Sequence, residues 1–147
     1  MDNSDLRQIL DKFLTFGVFE EEKEIEAGNN IRGPKIWKIY EYPFKSMIGM
    51  LGKFFIGDRM FQTIRTLEGR PKANSISLRA YLKYTDIIYN GTLEEKDKIS
   101  FLMINITGAE RVTFVDYKQF WNQFLDMYGQ ILQTKISYDD NTAQLTE

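Results

Sequence analysis

Leu6, Ile9, Leu10, Phe13 and Leu14 follow the i, i+3, i+4, i+7 spacing of one helix face. Ser4 ahead of them is a good N-cap, Asp5 suits the positive end of a helix, and Gly17 supplies a stop. The spacing predicts a helix over 4–16. The next stretch, "EEEKEIEAGNNIRG", reads as a solvated acidic run and a Gly/Asn-rich loop ending at Gly33. Pro34 can occupy the first position of a short helix carrying Ile36, Trp37, Ile39 and Tyr40, which Pro43 then breaks. A second short amphipathic piece places Phe44, Met47, Ile48, Leu51, Phe54 and Phe55 on one face. Gly49 and Gly52 within it either permit close helix packing or weaken the helix by about 1 kcal/mol each.

From Gly57 the pattern is regular. Asp58 caps a helix that turns Met60, Phe61, Ile64 and Leu67 inward, and "GRPKANSI" forms a loop. The following helix has Leu78, Tyr81, Leu82, Thr85 and Ile88 at its inward positions and ends at Asn90 and Gly91. Thr92 and Glu95 make a capping box for the next helix, whose apolar face is Ile99, Leu102 and Met103. After a loop, Thr113 or Val115 leads into the strongest amphipathic helix of the chain, carrying Tyr117, Phe120, Trp121, Phe124, Leu125 and Tyr128. The pattern therefore predicts an all-α fold. A single helical domain covers 1–133, with N-terminal helices over 1–56, and a flexible polar tail covers 134–147.

Composition narrows the chemistry. Among 147 residues there is no Cys and no His, which removes disulfides, thiolate nucleophiles, serine triads and imidazole-ligated metals. Carboxylate chemistry remains, for example Glu22 with Glu24, but nothing in the pattern sets such a pair in a cleft, and the sequence reads as non-enzymatic. A formal net charge of −2 gives no basic footprint for a nucleic-acid partner. The chain starts with the acidic "MDNSDLRQIL", which lacks a signal-peptide pattern. Its longest apolar stretch, "MIGMLGKFFIG", falls short of the roughly 20 residues a membrane span needs. The expectation is a cytoplasmic protein with no membrane span.

The loops on either side of "IYNGTLEEKDKISFLMIN" carry one β-branched residue each, Ile76 and Val112, which lie 36 positions apart. Spacing of this size calls for a test of internal repetition. With Phe101 four positions before the second loop and "VDYKQF" closing it, the stretch 57–128 resembles a tandem EF-hand pair of the calmodulin-like superfamily. The resemblance implies two helix–loop–helix units whose loops meet in a short β-bridge between Ile76 and Val112. A looser loop-like reading places Glu24, Glu26 and Asn29 around Ile31, but its spacing breaks the repeat, so this stretch is treated as a surface loop, with a further degenerate hand in 18–42 as the alternative.

An EF-hand loop requires oxygen ligands at positions 1, 3, 5 and 9, a bidentate Glu at 12 and a turn Gly at 6. Counting from Val112 as position 8 gives Asn105, Thr107, Ala109, Glu110, Thr113 and Asp116 at positions 1, 3, 5, 6, 9 and 12. Counting from Ile76 gives Gly69, Pro71, Ala73, Asn74, Ser77 and Ala80, with no carboxylate at all. The resemblance thus implies degenerate loops and no cofactor, with Asn105, Thr107 and Asp116 as weak calcium candidates. It further implies a non-catalytic interaction or scaffold domain that holds a partner helix or peptide in the groove between its helix pairs. Met47, Met50, Phe54 and Trp121 are the candidate contacts. The alternatives are a calcium-regulated switch using the second loop and a regulatory N-terminal segment of a larger enzyme.

Overall fold

Trp37 and Ile39 alternate along the chain with Ile36, Lys38 and Tyr40, and in the structure that alternation wins over the helical reading. The computed structural model describes the backbone of residues 3–26 and 29–145, with side chains over 3–21 and 33–135. Val18–Glu26 (β1) and Asn29–Tyr40 (β2) form an antiparallel hairpin in which Phe19 faces Trp37, Glu20 faces Ile36 and Glu21 faces Lys35. The loop and short helix expected here are therefore corrected to two strands. Ile36, Trp37, Ile39 and Tyr40 satisfy both periods, but β-branched and aromatic side chains favour a pleated, half-buried surface. The side chains of Glu22, Glu24, Glu26, Asn29 and Ile31 lie outside the described residues.

A third strand, β3 (Ser75–Ser77), joins the other edge of β2 with Ile76 opposite Ile39. The sheet order is β1-β2-β3, so the all-α class is overturned and the architecture is mixed. The β-bridge expected between Ile76 and Val112 is not formed among the described residues. Ile76 spends its ladder on Ile39, and Val112 lies outside any strand.

The helices are α1 (Asn3–Phe16), α2 (Glu41–Met47), α3 (Phe55–Leu67), α4 (Leu78–Asn90), α5 (Leu93–Ile104) and α6 (Phe114–Leu145), with a 3-10 turn at Gly49–Lys53. Pro43, expected to end a helix, instead sits in the first turn of α2. There its missing N–H has no intrahelical acceptor to lose. Gly17 joins α1 to β1 where a Cβ would lie 2.8 Å from the Phe13 carbonyl and 2.9 Å from that of Lys38, so only glycine lets the helix end approach β2 this closely.

The chain divides into two compact units, Met1–Met103 and Ile104–Glu147. In the first, Phe13, Phe44, Phe61 and Ile64 join Ile39 and Ile76 in a core without solvent exposure. Burial of such side chains stabilises by about 1.5–3 kcal/mol each. Lys45 pairs with Asp58 and, at 3.6 Å, with Glu41, tying α2 to α3 at the surface. The Arg59 guanidinium donates to the Leu102 and Met103 carbonyls at 2.7 and 2.9 Å, satisfying acceptors that the end of α5 leaves open. The capping box of α5 is present, with reciprocal bonds of 3.0 and 3.2 Å between Thr92 and Glu95. In the second unit α6 runs unbroken past residue 133, where the sequence suggests a tail, to Leu145.

Candidate functional site

The loop between α5 and α6 is organised by an anion. Asp116 lies in the first turn of α6 with no exposed surface. The Thr113 N–H and hydroxyl donate to its carboxylate at 3.1 and 2.9 Å, and the Thr107 N–H and hydroxyl donate at 3.3 and 3.1 Å. The Asp116 N–H returns a bond to the Thr113 hydroxyl at 3.1 Å, which completes a capping box. The Thr113 N–H above all, with the other three donors, holds the Asp116 carboxyl below the usual carboxylate range, although burial pushes the other way.

Positions 3, 9 and 12 of the expected calcium loop therefore do converge, but as donors around an acceptor. Hydroxyl protons of Thr107 and Thr113 point at the carboxylate oxygens that a cation would need. Asn105 is directed elsewhere, donating to the Ala109 carbonyl at 2.7 Å. Among the described residues no three acidic side chains gather where they could hold a metal ion.

Of the residues expected to line a groove, Met47 is buried in the core of the first unit. Met50 is half exposed in the 3-10 turn, and Phe54 is half buried just after it. Trp121 belongs to the second unit, where its ring lies 5.4 to 6.1 Å from those of Phe124, Phe120 and Tyr117 along α6.

A different groove exists where the sheet runs out. β3 ends at Ser77 opposite Lys38, so β2 continues through residues 33–37 with no described strand beside it on that edge. The space next to this bare edge is a groove of about 640 Å³, walled by Phe19, Ile36, Trp37, Leu78 and Leu82. That size lies within the usual range of ligand sites. The Phe19 and Trp37 rings pack across β1 and β2, tilted by 32° with centroids 5.6 Å apart. Phe19 keeps 53% of its surface exposed, while Trp37 is half buried and packs against the core, so the wall is open on the Phe19 side.

The opposite wall comes from α4. Its buried face is Tyr84, Thr85 and Ile87, while Leu82 is half buried and Ile88 exposed. Of the expected inward positions, Thr85 is buried and Leu78 and Tyr81 pack against the core, while Leu82 faces the groove, which Leu78 also lines. Ser77 fixes the start of this wall: its hydroxyl accepts from the Ala80 N–H at 3.1 Å, and its own N–H donates to Glu68 at 3.4 Å. Lys35 and Arg79, both exposed, border the groove, and Lys83 borders a second hollow that shares Glu68, Ser77 and Arg79 with it. A third hollow shares Phe19, Lys35 and Ile36 and extends to Lys72. Of the nearby acidic groups, Glu68 accepts from Ser77, Glu20 accepts from Tyr40 at 2.7 Å and pairs with Lys38 at 3.5 Å, and Glu21 faces Lys35 across the hairpin.

Reading residues 34–42 as a helix hid this site; the signal that could have found it is the alternation in "KIWKIY". Comparison with known protein families, with curated proteins and with solved structures found no match to this chain. Among the described residues no helix is long and apolar enough to cross a membrane.

Proposed function

We propose that this chain is a non-catalytic, cytoplasmic interaction domain that holds a peptide segment of a protein partner in the groove between β2 and α4. The observation that supports this reading is the open apolar channel formed by Trp37, Leu78 and Leu82 beside an unextended strand edge. Apolar walls with a few polar groups at the rim are the usual makeup of a recognition site. This reading moves the contact surface from Met47, Met50, Phe54 and Trp121 to residues around Trp37 and Leu82.

Selection from a displayed random-octapeptide library tests it. The protein should enrich binders, and Leu82→Asp, which places a charge in the channel, should abolish their binding while circular dichroism stays unchanged. Enriched peptides that bind the Leu82→Asp variant undiminished would overturn the proposal.

A further inference from the structure

Resting on that reading of the groove, we infer that its occupant is an extended acidic peptide that adds as a fourth strand to the bare edge of β2. Two independent features carry this. The first is the backbone. β3 pairs only with Lys38, Ile39 and Tyr40, so the β2 backbone over residues 33–37 presents an edge ready to accept a further strand. Successive residues of β2 direct their amides to opposite edges, so alternate residues of 33–37 supply the ladder there, and Pro34 has no N–H to donate. A strand laid there has alternate side chains facing Trp37, Leu78 and Leu82, because successive residues of a strand point to opposite faces.

The second feature is charge. Lys35 and Arg79 at the rim, with Lys38, Arg70, Lys72 and Lys83 in the adjoining hollows, outnumber the carboxylates of Glu20, Glu21 and Glu68 there and favour carboxylates on the incoming peptide. Among the described residues the β1 edge of the sheet is also unpaired, and its sequence "VFEEEKEIE" is dense in glutamate. An acidic strand is repelled there and attracted at β2, so the same charges that select the partner also select the edge.

The test uses a fluorescein-labelled octapeptide of alternating leucine and glutamate, followed by anisotropy at low salt. In such a strand the amides of the leucines point to one edge and those of the glutamates to the other. N-methylation of one set should therefore weaken binding by about tenfold or more, as loss of two or more hydrogen bonds implies, and N-methylation of the other set should leave it nearly unchanged. The leucine–lysine peptide should bind about tenfold more weakly than the leucine–glutamate one. In the Lys35→Glu/Arg79→Glu variant, where both changes lie on exposed positions, that preference should reverse.

Equal behaviour of the two methylated sets overturns strand addition, and equal binding of the acidic and basic peptides overturns the charge selection. Displacement of the peptide by an oligothymidylate of the same length overturns a peptide as the occupant. Failure of the leucine–glutamate peptide to bind, while library peptides still bind and remain sensitive to Leu82→Asp, overturns this inference alone. Binding that ignores Leu82→Asp overturns the groove reading with it.

Discussion

Ile39 and Ile76 face each other across β2 and β3, and neither has any exposed surface. This pair closes the sheet over the core, and it replaces the link that the helical repeat suggested between Ile76 and Val112. Ile76→Ala should therefore cost about 2–5 kcal/mol of unfolding free energy in urea titrations. Val112 is only partly buried and lies outside the sheet. Val112→Ala should fall within about 1 kcal/mol of wild type. Equal losses for the two variants would restore the pairing of Ile76 with Val112.

The clasp around Asp116 predicts a local pH response. Because its pKa is lowered in the folded protein, with the Thr113 N–H as the main cause, the charged form is the one that supports the loop. Its contribution is fully present above the ordinary aspartate value of about 3.9 and is lost as pH falls through the lower folded value. In amide NMR spectra the Thr107 and Thr113 N–H resonances should hold their positions at pH 5 and move together only below about pH 4. Asp116→Ala should move both at neutral pH.

Tyr84 makes a prediction at the alkaline end. Burial, and secondarily the neighbouring Tyr81, push its pKa up to about 12. The folded protein keeps this phenol neutral while the unfolded chain ionises near pH 10. Its contribution to stability is complete below about pH 10 and is lost as pH rises toward 12. Ultraviolet titration of tyrosinate should show a late-ionising fraction in wild type that shrinks in Tyr84→Phe, with Tyr81, also raised by burial, supplying the remainder.

Gly52 offers a steric test. A Cβ built there would collide with the backbone carbonyl of Lys45. Gly52→Ala should destabilise by about 1–3 kcal/mol, since the fixed backbone of α2 has to give way. Nothing lies within 4 Å of a Cβ at Gly49, but its φ of +70° is one that alanine rarely adopts, so Gly49→Ala should cost about 1 kcal/mol through strain alone.

Amphipathic helices with strong end signals were legible from sequence. Phe13 on α1 and the Thr92–Glu95 box of α5 lie where local spacing puts them. The hairpin was not legible, because Ile36, Trp37, Ile39 and Tyr40 fit a helix face as well as a strand, and Pro34 is equally at home in the first turn of a helix. What separates the two outcomes is the partner Ile76, distant in sequence, which local spacing cannot supply. The candidate site is illegible for the same reason, since its walls come from β1, β2 and α4. The weak metal candidates Thr107 and Asp116 were found by spacing. Their role differs because hydroxyl groups donate as readily as they accept.

The most direct measurement of the central claim is an amide NMR titration of the protein with a peptide recovered from the display selection. The account predicts shift changes concentrated at Lys35, Ile36, Trp37, Leu78 and Leu82, with slowed hydrogen exchange appearing along β2. Changes confined to Met50 and Phe54, or to α6 around Trp121, with β2 unaffected, would contradict it.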